Sequence, residues 1–265
     1  MKIALHCNNS AHQKTHVAWM AEGLKQHGVE CVLAGYDEPV DCDVAVVWGW
    51  KQRKIIVQAK RVLVMERGHV GDRMTFTSMG WGGLGGRAKY PCIDDGGARW
   101  REHFDGLMKE WQPGGGSALI CGQCDGDASL LGLDFRQWAE GITAALLKRG
   151  ERVVYRPHPT MLRSNYRWCP VGAEFSERSL ADDLKSAAFV VTYNSTAGVD
   201  AVLAGAATIT RDQGAMAWPV TSHSLDEPLV RPDRSAWAHQ MAWSQWLPDE
   251  ISSGVAWAAV SEVMQ

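Results

Sequence analysis

Short apolar, β-branched runs alternate with amphipathic segments along almost the whole chain, and this alternation constrains its fold more than any other feature. Residues 2–7 (KIALHC), 30–34, 43–48 (DVAVVW) and 61–66 (RVLVME) read as strands. Between the first two, residues 11–27 place Val17, Met20, Ala21 and Leu24 on one helical face and stop at Gly28; residues 51–60 read as another helix. Near-continuous apolar strands separated by helices imply parallel pairing with helices on both faces, a Rossmann-like first half.

The pattern lapses over residues 68–97, a glycine-rich stretch with no clear period. An irregular segment of that length inside a compact domain is more often functional than decorative. A helix is expected over 98–111, then a linker at 112–117 (QPGGGS). The alternation resumes with strands at 118–122, 152–156, 189–193 and 206–210 and helices at 134–150, 179–187, 196–204, 235–246 and 248–264. At about 150 residues per domain, 265 residues make roughly two. The expected architecture is α/β, with a Rossmann-like lobe at 1–112, a second at 117–265, and ligands in a cleft at the carboxyl ends of the strands.

No apolar run approaches a membrane span, and the polar turn at Asn8 comes too early for a signal peptide, so a cytoplasmic location is expected. Seven cysteines, five of them isolated, read as reduced thiols. The net charge of −3 excludes a generic DNA-coating protein. Residues 51–109 nevertheless hold twelve Lys/Arg against six Asp/Glu, a stretch suited to a polyanion. Thirteen of the twenty-three aromatic residues are Trp, which serves core filling and stacking alike.

Two turns in the second half carry the strongest chemistry. Arg156-Pro157-His158-Pro159 follows the strand RVVY, and the prolines stiffen the presentation of both polar side chains. Arg156 suits bidentate anion binding, and His158 suits donation to a leaving phosphate. Asn194, Ser195 and Thr196, between a strand and a short helix, offer hydroxyls and backbone N–H groups to an anion, while Asp200 suits a ribose hydroxyl. Gly122 and Gln123, at another strand end inside Cys121-Gly122-Gln123-Cys124, are placed to touch a donor. This C-x-x-C lacks the two further ligands of a zinc site, and no metal is expected.

In the first half, Glu66 ends a strand and suits deprotonation of an acceptor hydroxyl, with Asp72 and Asp95 as further candidates. Mutual repulsion of Asp94 and Asp95 is expected to raise one of them. Arg67, Arg73, Trp81 and Arg87 are the expected acceptor contacts, Trp81 on a mobile loop. The glycines of residues 80–86 fit neither a P-loop nor a dinucleotide fingerprint. His6, His12 and His16 read as scattered polar contacts.

RPHP after a strand, with NSTAGVDAVLAGAATIT some forty residues on, resembles the donor-binding half of GT-B glycosyltransferases. The similarity is to capsule-polysaccharide (Kdo-transferase-like) enzymes and bacterial sialyltransferases, over roughly residues 118–212. It implies two facing Rossmann-like lobes, and a His-Pro motif and Ser/Thr pair that hold the donor's nucleotide and phosphate, here His158-Pro159 and Ser195-Thr196. The sialyltransferases' D/E-D-G motif is similar to Asp94-Asp95-Gly96, although the gap to His158 is shorter here. The segments ERGHVGDR…GWGGLGGRA and WAHQMAWSQWLPDEISSGVAW also resemble small glycosyltransferases encoded by tailed bacteriophages.

The resulting expectation is metal-independent transfer of a sugar from a UDP- or CMP-linked donor, a co-substrate rather than a cofactor, to a hydroxyl. The acceptor this implies is a 5-hydroxymethyl-pyrimidine in phage DNA, with the basic stretch and its interleaved Trp50, Phe76, Trp81, Tyr90 and Trp100 contacting phosphates and an extruded base. A transferase acting on a glycan, a nucleotide-sugar epimerase and a non-catalytic binder are the alternatives.

Overall fold

A computed structural model describes residues 1–164 and 167–264. By internal contacts the chain divides into two units, the first formed by Met1–Phe104 together with the segment from Ser235 onward, the second by Asp105–Arg234.

The first unit opens with β1 (Ile3–Cys7), α1 (Ala11–Gln26), β2 (Cys31–Gly35), β3 (Val44–Trp48), α2 (Arg53–Gln58), β4 (Val62–Arg67), β5 (Thr77–Trp81) and α3 (Ala98–Phe104). Ser10 caps α1 by accepting the Gln13 N–H, and Val17, Met20 and Leu24 of its inner face are buried, as their spacing predicts. They pack on Ile3, Leu5, Val46, Leu63 and Met65 of the sheet. Burial of each such side chain contributes about 1.5–3 kcal/mol. Strands β2, β1, β3 and β4 are parallel in that order, with Ile3 opposite both Cys31 and Val44.

The second unit carries β6 (Ser117–Cys121), α4 (Phe135–Lys148), β7 (Val153–Arg156), α5 (Pro159–Arg163), β8 (Glu174–Phe175), α6 (Leu180–Lys185), β9 (Ala187–Thr192), α7 (Ala197–Leu203) and β10 (Thr208–Thr210). Its strands are all parallel, in the order β10, β9, β6, β7, β8. Strand β6 is central and wholly buried, and α4 covers one face with Phe135, Ala139, Ile142 and Leu146.

Several expectations change. The segment 68–97 is not wholly irregular: β5 lies within it, antiparallel to β4. Every residue of β5 is buried, which removes the alternation that marks a strand, and Gly80 is needed because a Cβ there would meet Ala88 and Tyr90 at 2.7 Å. The helix expected over 98–111 stops at Phe104, because the chain beyond pairs within the second unit: Lys109 and Gln112 donate to Leu203 and Gly205 carbonyls.

The third change concerns the C-terminal segment, which was expected to belong to a lobe spanning 117–265. It packs instead with the first unit as α8 (Ser235–Ala242), β11 (Gln245–Trp246), α9 (Pro248–Ser252) and α10 (Val255–Glu262), and β11 extends the first sheet beyond β5. Buried Arg99 on α3 explains the attachment. Its guanidinium forms a bidentate pair with Glu250, donates to the Ala242 and Gln245 carbonyls, and lies 4.8 and 4.9 Å from the Trp243 and Trp246 ring centres. The helix expected over 248–264 breaks at Gly254, whose φ of +85° suits glycine and whose missing Cβ makes room for the His27 ring.

Candidate functional site

The candidate site of the second unit lies at the carboxyl ends of β6, β7 and β9. His158 is the N-cap of α5; its Nδ1 accepts the Thr160 N–H at 3.2 Å and lies 3.3 Å from Cys124 Sγ. A neutral imidazole whose Nδ1 accepts carries its proton on Nε2, so His158 presents an Nε2–H donor. Ser195 Oγ accepts the Ala197 N–H and keeps its own proton for donation. Thr196 is the N-cap of α7, and Asp200 sits in that helix's first turn.

Asn194 and Gln123 meet, but their polar atoms are turned on each other. Gln123 Nε2 donates to Asn194 Oδ1 at 2.8 Å, and the Asn194 N–H donates to Gln123 Oε1 at 3.1 Å. Asn194 Nδ2 donates to the Ser129 carbonyl and to Asp212 Oδ2, and Ser129 Oγ adds a bond to Asn194 Oδ1. With both amide donors and both acceptor positions of Asn194 used, the pair stitches β6 to β9 instead of touching a donor as expected. Ser129 and Asp212, which complete this network, were not singled out in the sequence, where nothing marks them apart from other loop polar residues.

Arg156 is also committed. Its guanidinium reaches the Arg178 carbonyl and, at 3.1 Å, the carboxylate of buried Asp183, which further accepts from Ser176 Oγ. As a strand residue it falls on the same face as Val154, away from Tyr155, so the anion it holds is part of the fold. Gly122 is explained by packing: a Cβ there would lie 2.6 Å from Tyr155 Oη. Cys121 is buried, and that burial pushes its thiol up to about 12. Among the described residues no three His, Cys, Asp or Glu side chains are grouped to hold a metal ion.

In the first unit, Glu66 stands half-buried at the end of β4, with Oε1 accepting the Arg67 N–H. Its charge reinforces burial in holding the Tyr90 hydroxyl protonated. The loop that follows is anchored by Gln245 of β11, whose Oε1 accepts from His69 and Val70 N–H and whose Nε2 donates to the Val70 carbonyl. His69 is buried beside Tyr90, and burial, then the charge of Arg73, lowers it to about 4. Arg87 falls in a single helical turn after β5.

The other two carboxylates are structural. Asp72 accepts from Met74 N–H and Thr75 Oγ1, closing an exposed turn, and these bonds hold its carboxyl below the usual range. Asp95 accepts from Gly97 and Arg99 N–H at the start of α3. Burial alone would raise it, but these bonds prevail and hold it low, against the expected repulsion with Asp94. Trp81 is 6% exposed and donates Nε1–H to the Val260 carbonyl; it fills the core and offers no stacking face to an acceptor. His12 and His16, by contrast, are not scattered: their rings lie 4.2 Å apart, each edge-on to Trp48, at 4.4 and 4.7 Å.

Two Rossmann-like units with mainly parallel sheets define a GT-B glycosyltransferase-type fold. No family model and no curated protein matches the chain. Among solved structures it is similar to a KpsC beta Kdo 2,7 transferase of Thermosulfurimonas dismutans, with a TM-score of 0.57 and 13% identity over 100% of both chains. It is likewise similar to a KpsC beta Kdo 2,4 transferase of the same organism, at 0.55 and 14% over 91% of this chain and 90% of the other. At these identities the likeness shows the fold. Among the described residues no helix is long and apolar enough to cross a membrane.

Proposed function

We propose that this chain moves a sugar from a nucleotide-activated donor to a hydroxyl acceptor. The observation that carries the reading is His158, whose Nδ1 is occupied by the Thr160 N–H and whose proton is therefore on Nε2, at the same carboxyl edge of the parallel sheet as Ser195-Thr196, with β6 between the strands that lead to them. The glycosyltransferase-type fold supports it.

The bond from the sugar's anomeric carbon to the donor phosphate breaks, and its electron pair leaves with the phosphate. The Nε2–H of His158 and the hydroxyls of Ser195 and Thr196 donate to that developing charge, and electrostatic stabilisation of this kind is commonly the largest catalytic contribution. The acceptor oxygen forms the new bond as Glu66 takes its proton. Asp200 contacts the donor ribose, while Asn194 and Gln123 hold the Ser195-Thr196 turn in place. Arg67, Arg73 and Arg87 contact the acceptor. In this reading no cofactor or divalent metal takes part, the donor is UDP- or CMP-linked, and the enzyme works in the cytoplasm.

The finer assignment of the acceptor is a 5-hydroxymethyl-pyrimidine in bacteriophage DNA, supported by the basic excess over residues 51–109. The protein is incubated with a panel of nucleotide sugars, alone, with hydroxymethylated DNA and with glycans, and free nucleotide and labelled products are followed. Nucleotide release with labelled DNA is expected. Labelled glycan instead keeps sugar transfer and discards the DNA acceptor. An altered sugar with no acceptor present makes the protein an epimerase, and no turnover with any combination overturns the reading.

A further inference from the structure

We propose that the first unit carries an anion-binding site, formed by Arg67, His12, His16 and the N-terminal turn of α1, that takes the carboxylate or phosphate group of a small ligand. The elements bring these groups together by strand and helix periodicity. Arg67 is the last residue of β4 and follows Leu63 and Met65 on the face that packs against α1, with Val17, Met20 and Leu24. His12 and His16 lie one turn apart at the start of α1, and Trp48, the last residue of β3, backs both rings.

Charge and unused valence point to a ligand. Arg67 is half-buried, and among the described residues its guanidinium makes no ion pair or hydrogen bond. The first turn of α1 contains no acidic residue, so the positive end of a sixteen-residue helix is uncompensated. His12 Nε2 is shielded from solvent and has no hydrogen-bond partner. His16 is 6% exposed; its Nδ1 donates to the His12 carbonyl at 2.8 Å, which leaves a bare lone pair on Nε2. A half-buried guanidinium without a counter-charge is completed by a bound anion, whereas the two imidazoles are neutral until they take up a proton.

The same arrangement couples binding to protonation. Burial, then His16 and Arg67, lower His12 to about 4, and burial leads the lowering of His16, with Arg67 adding to it. Among the described residues, no carboxylate contributes to the lowering of either imidazole. Glu66 falls on the other face of β4, beside Gly49, and His6 of β1 turns to the Gly35 carbonyl. Asp249 and Glu250 belong to α9, which meets α1 at Gly23, three turns away, and Glu250 is held by Arg99. A bound anion offsets the charge of Arg67 and accepts from a protonated imidazole. Binding therefore takes up a proton and tightens as pH falls from about 6 toward 4. The further step, that an acceptor sugar bound here is itself acidic, rests on the proposed transfer reaction.

The test reads binding rather than turnover. Histidine C2–H resonances of the whole chain are followed by NMR across pH 3–8 with inorganic phosphate, with glucuronate, and with neutral glucose. With phosphate or glucuronate, the His12 midpoint is expected to move from about 4 to about 5 or higher, glucose leaving it in place. A response to phosphate alone assigns a phosphate ester, and one to glucuronate alone a sugar acid. In R67Q the midpoint should rise without ligand and lose its response to either anion. No movement of His12 or His16 with either anion, or an undiminished response in R67Q, overturns the site. Neither result depends on whether sugar transfer is observed.

Discussion

Gln123 and Asn194 bind each other through two hydrogen bonds, side chain to side chain at 2.8 Å and backbone N–H to side-chain carbonyl at 3.1 Å, and so lock the end of β6 to the end of β9. The turn that offers Ser195 and Thr196 thus takes its position from a buried amide pair rather than from its own sequence. Each member satisfies the other in a place where an unpaired amide costs about 1–3 kcal/mol.

Gln123→Ala should therefore leave the Asn194 N–H and part of its carbonyl unsatisfied. The expected loss is about 1–3 kcal/mol in urea unfolding. A rise in donor KM should accompany it, because the Ser195-Thr196 turn loses its support. An unchanged unfolding midpoint would show that the pair carries no energy.

Arg156→Met should act on stability first. It strips buried Asp183 of its main cation, and breaking a buried pair costs about 3–5 kcal/mol. The double variant R156M/D183N should recover part of that loss, and the folded protein should keep its donor KM. A large KM change at unchanged stability would return Arg156 to the donor site.

Glu66→Gln and Asp95→Asn should separate a base from a helix cap. If Glu66 takes the acceptor proton, its loss should lower kcat by about 10²–10⁴ while donor affinity holds. Asp95→Asn keeps only one of the two oxygens that accept at the start of α3, so it should cost about 0.5–1.5 kcal/mol of stability and leave kcat within a few fold. Steady-state rates and thermal melts on both variants decide the matter.

The pH dependence of stability should show His69. Its folded value of about 4 lies below the ordinary 6.5, so between these values the unfolded chain binds the extra proton. The stabilisation is complete above pH 6.5 and is lost as pH falls toward 4, by about 3 kcal/mol at the full shift. Melting temperature should drop over that interval, and His69→Gln should flatten the slope.

How much was readable from the residues depended on how local the cause was. Helix α1 and its buried face follow from the spacing of Val17, Met20 and Leu24, and β6 and β7 from their apolar runs. His158-Pro159 was visible because prolines act on their own backbone. Strand β5 was not, because burial on both faces and a glycine fitted to Ala88 and Tyr90 erase the period that a strand normally shows.

The sequence by itself determined the alternation of strands and helices and most of the parallel pairing, since propensity, periodicity and caps are set within a few residues. Tertiary structure alone decided which polar side chains remain for chemistry. Arg156 went to Asp183, Asp95 to α3, Trp81 to the core and Asn194 to Gln123, whereas Arg67 was left beside two histidines. The reason is that a polar group's partner is fixed by distance in space, and these partners lie as far as 179 residues away along the chain.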